Sequence, residues 1–152
     1  MILNVAVFFP TYVKKRNQLN QWTGEGLDTR QVSLVIAIFQ IAQIVNAPIS
    51  AKIKNYLGSK NTFMLGFLML TTSNFGLGYI AHLDSPNAFY CLALFLRFVE
   101  GQGDVLLQFT GYSVITQIYS DDLTTHIVYI EIAVGLGLSL GPMAGALVYP
   151  YL

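Results

Sequence analysis

Val32-Ser-Leu-Val-Ile-Ala-Ile-Phe-Gln-Ile-Ala-Gln-Ile-Val-Asn-Ala-Pro-Ile-Ser-Ala51 contains no charged residue. A helix that crosses the ~30 Å hydrocarbon core of a bilayer needs about 20 mostly apolar residues. This stretch has that length, with Gln40, Gln43 and Asn46 as its strongly polar interruptions. Working outward, Asn61 to Ala81 is a second charge-free run, and Ile132 to Leu152 is a third. The helix of the third run is expected to begin near Thr124 or Thr125, ahead of Glu131. Asn87 to Tyr119 is a further apolar segment, carrying Arg97, Glu100 and Asp104 in its middle. Spans are therefore expected at about 31–53, 61–82, 87–119 and 124–150, and the fold class is an all-α integral membrane protein.

The composition agrees. Hydrophobic residues make up 54% and charged residues 11%, against about 25% charged in soluble domains. Too few charges remain to coat a water-soluble globule, and mean hydropathy is +0.55. A soluble helical core would need a polar face on each helix, and the three charge-free runs have no charged face. The net charge is 0, so nucleic-acid binding has no electrostatic footprint. Cys91 is the only cysteine, which excludes an intrachain disulfide and a thiolate zinc site. No nucleophile–base pair, metal-ligand cluster or phosphate-binding glycine loop points to an enzyme, a metal or a cofactor.

The connections fit the spans. Lys52 to Lys60 reads as a short polar connection, and His82-Leu-Asp-Ser-Pro86 as a tight turn with Pro86 at a helix start. Ser120-Asp-Asp122 is another turn, whose carboxylates suit the N-terminus of the next helix. Thr11 to Arg30 is the longest polar segment. Met1 to Pro10 is apolar but too short to span, and Lys14, Lys15 and Arg16 follow it, whereas a signal peptide places its basic residues first. We therefore expect residues 1–13 to be the tail of a first span, and the chain, which stops at Tyr149-Pro-Tyr-Leu152, to be a fragment.

Three segments resemble motifs of the major facilitator superfamily, in that family's order. Ala51-Lys-Ile-Lys-Asn-Tyr-Leu-Gly-Ser-Lys60 resembles its loop motif Gly-x-x-x-Asp-Arg-x-Gly-Arg-Lys, with Gly58 and Lys60 matching. Ala51, Asn55, Tyr56 and Ser59 depart from it. Arg97-Phe-Val-Glu-Gly-Gln-Gly103 is similar to the fourth-span motif Arg-x-x-Gln-Gly-x-Gly, with Glu100 replacing the glutamine. Gly137-Leu-Ser-Leu-Gly-Pro-Met-Ala-Gly-Ala146 is similar to the fifth-span motif Gly-x-x-x-Gly-Pro-x-x-Gly-Gly, associated with antiporters, and departs only at Ala146. Phe8-Phe-Pro10 and the position of Glu131 resemble the drug–proton and vesicular amine antiporters.

The resemblance implies the end of span one plus spans two to five of an N-terminal six-helix half. It implies proton-coupled antiport of a small organic solute by alternating access, with a proton gradient in place of any cofactor. Implied partners are the lipid bilayer, a small-molecule substrate such as a cationic amine or drug, and the remainder of the carrier or a partner subunit. It also places the Lys52–Lys60 loop in the cytoplasm. Charge does not decide orientation, since that loop holds three basic residues and the opposite side has four: Lys14, Lys15, Arg16 and Arg30. A truncated, non-transporting membrane scaffold is the alternative.

Arg97, Glu100, Asp104 and Gln108 follow steps of three, four and four, and so share one helix face, which Gly111 continues. Ionisable groups within a span are costly against lipid, about 3 kcal/mol or more, so this face turns toward protein or a watery cavity. Arg97 is placed to pair with Glu100, leaving Asp104 less neutralised. The face either lines the transport pathway, with Asp104 or Glu100 taking a proton or cation, or locks helices together. Glu131 is either a proton site or an interfacial acid. Gln40, Gln43 and Ser50, with Ala47 between, share a face of the second span. Gly137, Gly141 and Gly145 form a stripe for close helix packing, and Pro142 can bend that helix. His82 and His126 read as interfacial.

Overall fold

A computed structural model describes residues 2–19, 22, 26–119 and 122–148. Among these there are four α-helices and no strand: α1 (Ile2–Gln18), α2 (Thr29–Ile80), α3 (Pro86–Ile118) and α4 (Leu123–Val148). Helix α1 is longer than the 1–13 expected and continues through Lys14 and Lys15; Lys15 and Arg16 in its last turn suit the negative end of the helix dipole.

Helix α2 begins at a capping box. The Asp28 side chain accepts from the Thr29 N–H at 2.7 Å, and Gln31 Oε1 accepts from the Asp28 N–H at 2.9 Å. As one straight rod its 52 residues would measure about 78 Å, over twice a hydrocarbon core. Gly58 breaks the rod with φ 77° and ψ 160°, in the left-handed region that favours glycine. The break between two helices expected within Lys52–Lys60 falls at Gly58 and is confined to that residue. The segment's residues are helical on both sides, and Gly58 alone leaves the helix. Lys, Ile, Asn, Tyr and Leu all tolerate a helix, so the helix runs up to the glycine from both sides.

The chain reverses at that glycine. On the first limb of α2 (29–57), Phe39 meets Gly101, Gln43 meets Asp104 and Lys54 donates to Ser113; the limb runs parallel to α3. On the second limb (59–80), Gly66 meets Gly103 and Gly76 meets Leu96, so that limb is antiparallel. Helix α3 is wedged between the two limbs. A Cβ on Gly101 would sit 2.5 Å from the Phe39 carbonyl oxygen, and one on Gly103 would sit 2.8 Å from that of Gly66. These are backbone contacts that only glycine permits.

At the opposite end, Arg16 ties three elements together. It is 7% exposed. Its guanidinium donates to the carbonyls of Ala81 at 3.2 Å and Leu83 at 2.9 Å, and pairs with Asp84 at 3.2 Å. It also lies 4.1 Å from the centre of the Trp22 ring. Tyr12 donates to the same Ala81 carbonyl at 2.9 Å. A cation thus closes the C-terminal end of α2. Beneath it an apolar cluster of Val13, Trp22, Leu27, Val35, Ile80 and Phe89 fills the junction.

Apolar side chains such as Ile44, Phe75 and Tyr79 face outward, while Arg97 and Glu100 are wholly buried. This inverts the arrangement of a water-soluble protein and suits a lipid solvent. The whole of α2 and Leu123–Gly141 of α4 are long and apolar enough to cross a membrane. Of the sequence expectations, the Ser120–Asp122 turn lies partly, and the end of the last span at Tyr149–Leu152 wholly, outside the described residues.

Candidate functional site

The buried part of the charged face lies at the three-way contact of α3 with both limbs of α2. Arg97 Nη1 donates to Glu100 Oε2 at 2.6 Å, the ion pair that their spacing implied, and the Arg97 guanidinium lies 4.7 Å from the centre of the Phe39 ring. The charge of Arg97 is therefore spent on its neighbour, and both side chains are closed to solvent.

One turn further along α3 the environment opens. Asp104 is half-buried, and its Oδ2 accepts from the amides of both Gln43 and Gln108, the latter at 2.7 Å. Both donors sit on one oxygen. Asp104 borders a cleft of about 540 Å³ between α3 and α4, together with Gln108, Gly111, Tyr112, Glu131 and Gly137. That volume suits a small organic molecule. Apolar walls come from Leu107, Ile130, Val134 and Leu138.

Glu131 reaches the cleft from α4. Its Oε1 accepts from the Tyr112 hydroxyl, which links the two helices. Because α3 and α4 run in opposite senses, this pair marks one end of the cleft, and Asp104 with Gly137 the other. No Lys or Arg lines it, and the ion pairs among the described residues, Arg16–Asp84 and Arg97–Glu100, involve neither Asp104 nor Glu131. Among the described residues, the hydrogen-bond partners of the two carboxyl groups in the cleft are neutral.

Other expected site residues fall elsewhere. Gln40 and Ala47 are exposed and Ser50 is buried, donating to the Asn46 carbonyl at 2.9 Å. Of that face Gln43 alone joins Asp104. Gly58 and Lys60 lie at the reversal of α2, with Lys60 exposed. Gly101 and Gly103 make the close contacts described above. Of the α4 stripe, Gly137 lines the cleft, and a Cβ there would meet nothing among the described residues. Gly141 is half-buried; the side chains of Pro142 and Gly145 lie outside the described residues. Tyr112 and Gly66 escaped the sequence reading. Tyr112 carries no intramembrane charge to flag it, and Gly66 is one of three glycines in the run Asn61–Ala81, with no motif to single it out.

Set beside known proteins, residues 1–152 match the family model of the Major Facilitator Superfamily. The chain belongs to the major facilitator superfamily. It is accordingly a membrane protein of a transporter family, and its all-α fold agrees. Searches of curated proteins and of solved structures returned no match. Within this transporter the α3–α4 cleft, bordered by two carboxyl groups among apolar walls, is the candidate site.

Proposed function

We propose that the protein is a secondary carrier that exchanges protons for a small organic cation, an amine or cationic drug, by alternating access. The observation that carries this reading is the cleft itself: Asp104 and Glu131 face a volume of about 540 Å³ whose lining, among the described residues, holds no Lys or Arg. An ionised carboxylate away from water needs a counter-charge, and a proton or an ammonium group supplies one. Two ligands that compete for the same carboxylates are thermodynamically coupled, each lowering the other's affinity. Alternation of the site between the two sides then turns competition into exchange. Gln43 and Gln108 orient Asp104, and Tyr112 orients Glu131 across the helix gap.

The test is uptake of a labelled amine into proteoliposomes carrying a pH gradient. Uptake driven by an acidic lumen, and lost in Asp104→Asn at unchanged membrane abundance, supports exchange. Loss of the protein from the membrane in that variant would instead assign Asp104 to helix locking. A non-transporting scaffold is a second reading, favoured by the exposure of every residue from 131 to 140 on α4. It predicts no uptake of any amine and co-purification of a covering subunit.

A further inference from the structure

The ion pair in the three-way contact is incompletely satisfied. Arg97 uses Nη1 alone, while its Nε and Nη2 are buried without a hydrogen-bond partner, as is Glu100 Oε1. Ser73 on α2 adds a fourth such atom. It is 1% exposed, and its Oγ has no partner. Ser50, Thr62, Thr71 and Thr72 of the same helix all turn their hydroxyls back to the carbonyl four residues earlier. Ser73 does not.

The helix register brings these atoms to one level. Gly66 opposes Gly103 and Gly76 opposes Leu96, in antiparallel sense. Ser73 lies two turns beyond Gly66 and one turn short of Gly76, so it faces the turn of α3 that holds Arg97 and Glu100. Two N–H donors, a carboxylate oxygen and a hydroxyl that can both give and take are thus buried together between α2 and α3.

We infer that Arg97, Glu100 and Ser73 bind ordered water at this position. A water molecule accepts from Arg97, donates to Glu100 Oε1 and bonds Ser73, the roughly three partners that buried waters make. Arg97 and Glu100 have no exposed surface and Ser73 almost none, so these groups are closed off from bulk solvent. The water completes the shell of a charge pair that would otherwise be half-satisfied inside the membrane. It also links the second limb of α2 to α3 by a polar bridge, beside the glycine contacts. This site is separate from the cleft and does not depend on the exchange reading.

Phe39 reports on it, because its ring is wholly buried against Arg97. Phe89, also buried, sits in the apolar cluster and is the reference. X-ray radiolysis makes hydroxyl radicals from bound water, so the intact protein in nanodiscs is irradiated with a scavenger for radicals in the bulk. Oxidation of Phe39 with Phe89 unmodified is the expected result. Phe39 as inert as Phe89, or both oxidised alike, overturns the inference. Ser73→Ala, which leaves the charge pair in place, should lower Phe39 oxidation, and Arg97→Met with Glu100→Leu should abolish it. Undiminished oxidation in a folded double variant also overturns the site; if that variant does not fold, the wild-type comparison and Ser73→Ala decide.

Discussion

Asp104 and Glu131 differ from Glu100 in what surrounds them. Glu100 has an arginine at 2.6 Å; among the described residues the other two acids hydrogen-bond to amide and phenol donors. Replacing Asp104 with Asn keeps the size and the hydrogen-bonding reach while removing the charge. The expected outcome is normal membrane abundance with amine uptake lost, measured in proteoliposomes. For Glu131→Gln, uptake should lose its dependence on pH, read from initial rates across a pH series; a full wild-type dependence would remove Glu131 from the proton path. Much of this scale was legible in advance. The spacing of Arg97, Glu100 and Asp104 matches the helical period, and a charge within a span has few places to face. Tyr112 was not legible, because its pairing with Glu131 depends on how α3 and α4 align, and nothing local to either helix encodes that register.

The elements show glycine in three physical roles. At Gly58 the backbone needs positive φ; Gly58→Ala leaves space for the methyl group but costs about 1–2 kcal/mol in conformation. At Gly103 the obstacle is the Gly66 carbonyl, 2.8 Å from a would-be Cβ. Since backbone cannot step aside easily, Gly103→Val should destabilise by about 1–3 kcal/mol, seen as a lower thermal midpoint in detergent. At Gly137 the space is open. Gly137→Leu should therefore keep its thermal midpoint while filling the cleft, so that uptake is lost without loss of stability. The sequence marks Gly101, Gly103 and Gly137 alike as motif glycines. What separates them is tertiary: Gly101 and Gly103 point into the wedge between the limbs of α2, and Gly137 points at a gap. The Lys52–Lys60 segment marks the break between two helices, but polarity does not set its length: helix continuity depends on propensity, and only Gly58 breaks it.

Across the whole molecule the described helices are organised from two ends. One is the reversal at Gly58; the other is the junction where Arg16 joins α1 to the end of α2 and the turn before α3. Charge-assisted hydrogen bonds to a mostly buried guanidinium are worth about 1.5–3 kcal/mol, so Arg16→Met should lower the thermal midpoint. Arg16→Lys should recover only part of it, since an ammonium lacks the planar fork that reaches two carbonyls and a carboxylate. This junction leaves the cleft free, as it lies at the other end of α2 from the Gly58 reversal. The membrane class of the fold was readable from run lengths and charge scarcity alone; the long-range junction was not, because Arg16 and Ala81 are distant in sequence and Arg16 looks like an ordinary interfacial cation. The central claim is that protons and an organic cation compete for Asp104 and Glu131. Its most direct measurement is proton release from purified protein in weakly buffered detergent solution when a cationic amine is added. The account predicts release on binding, absent in the Asp104→Asn, Glu131→Gln double variant; amine binding with no proton release would contradict it.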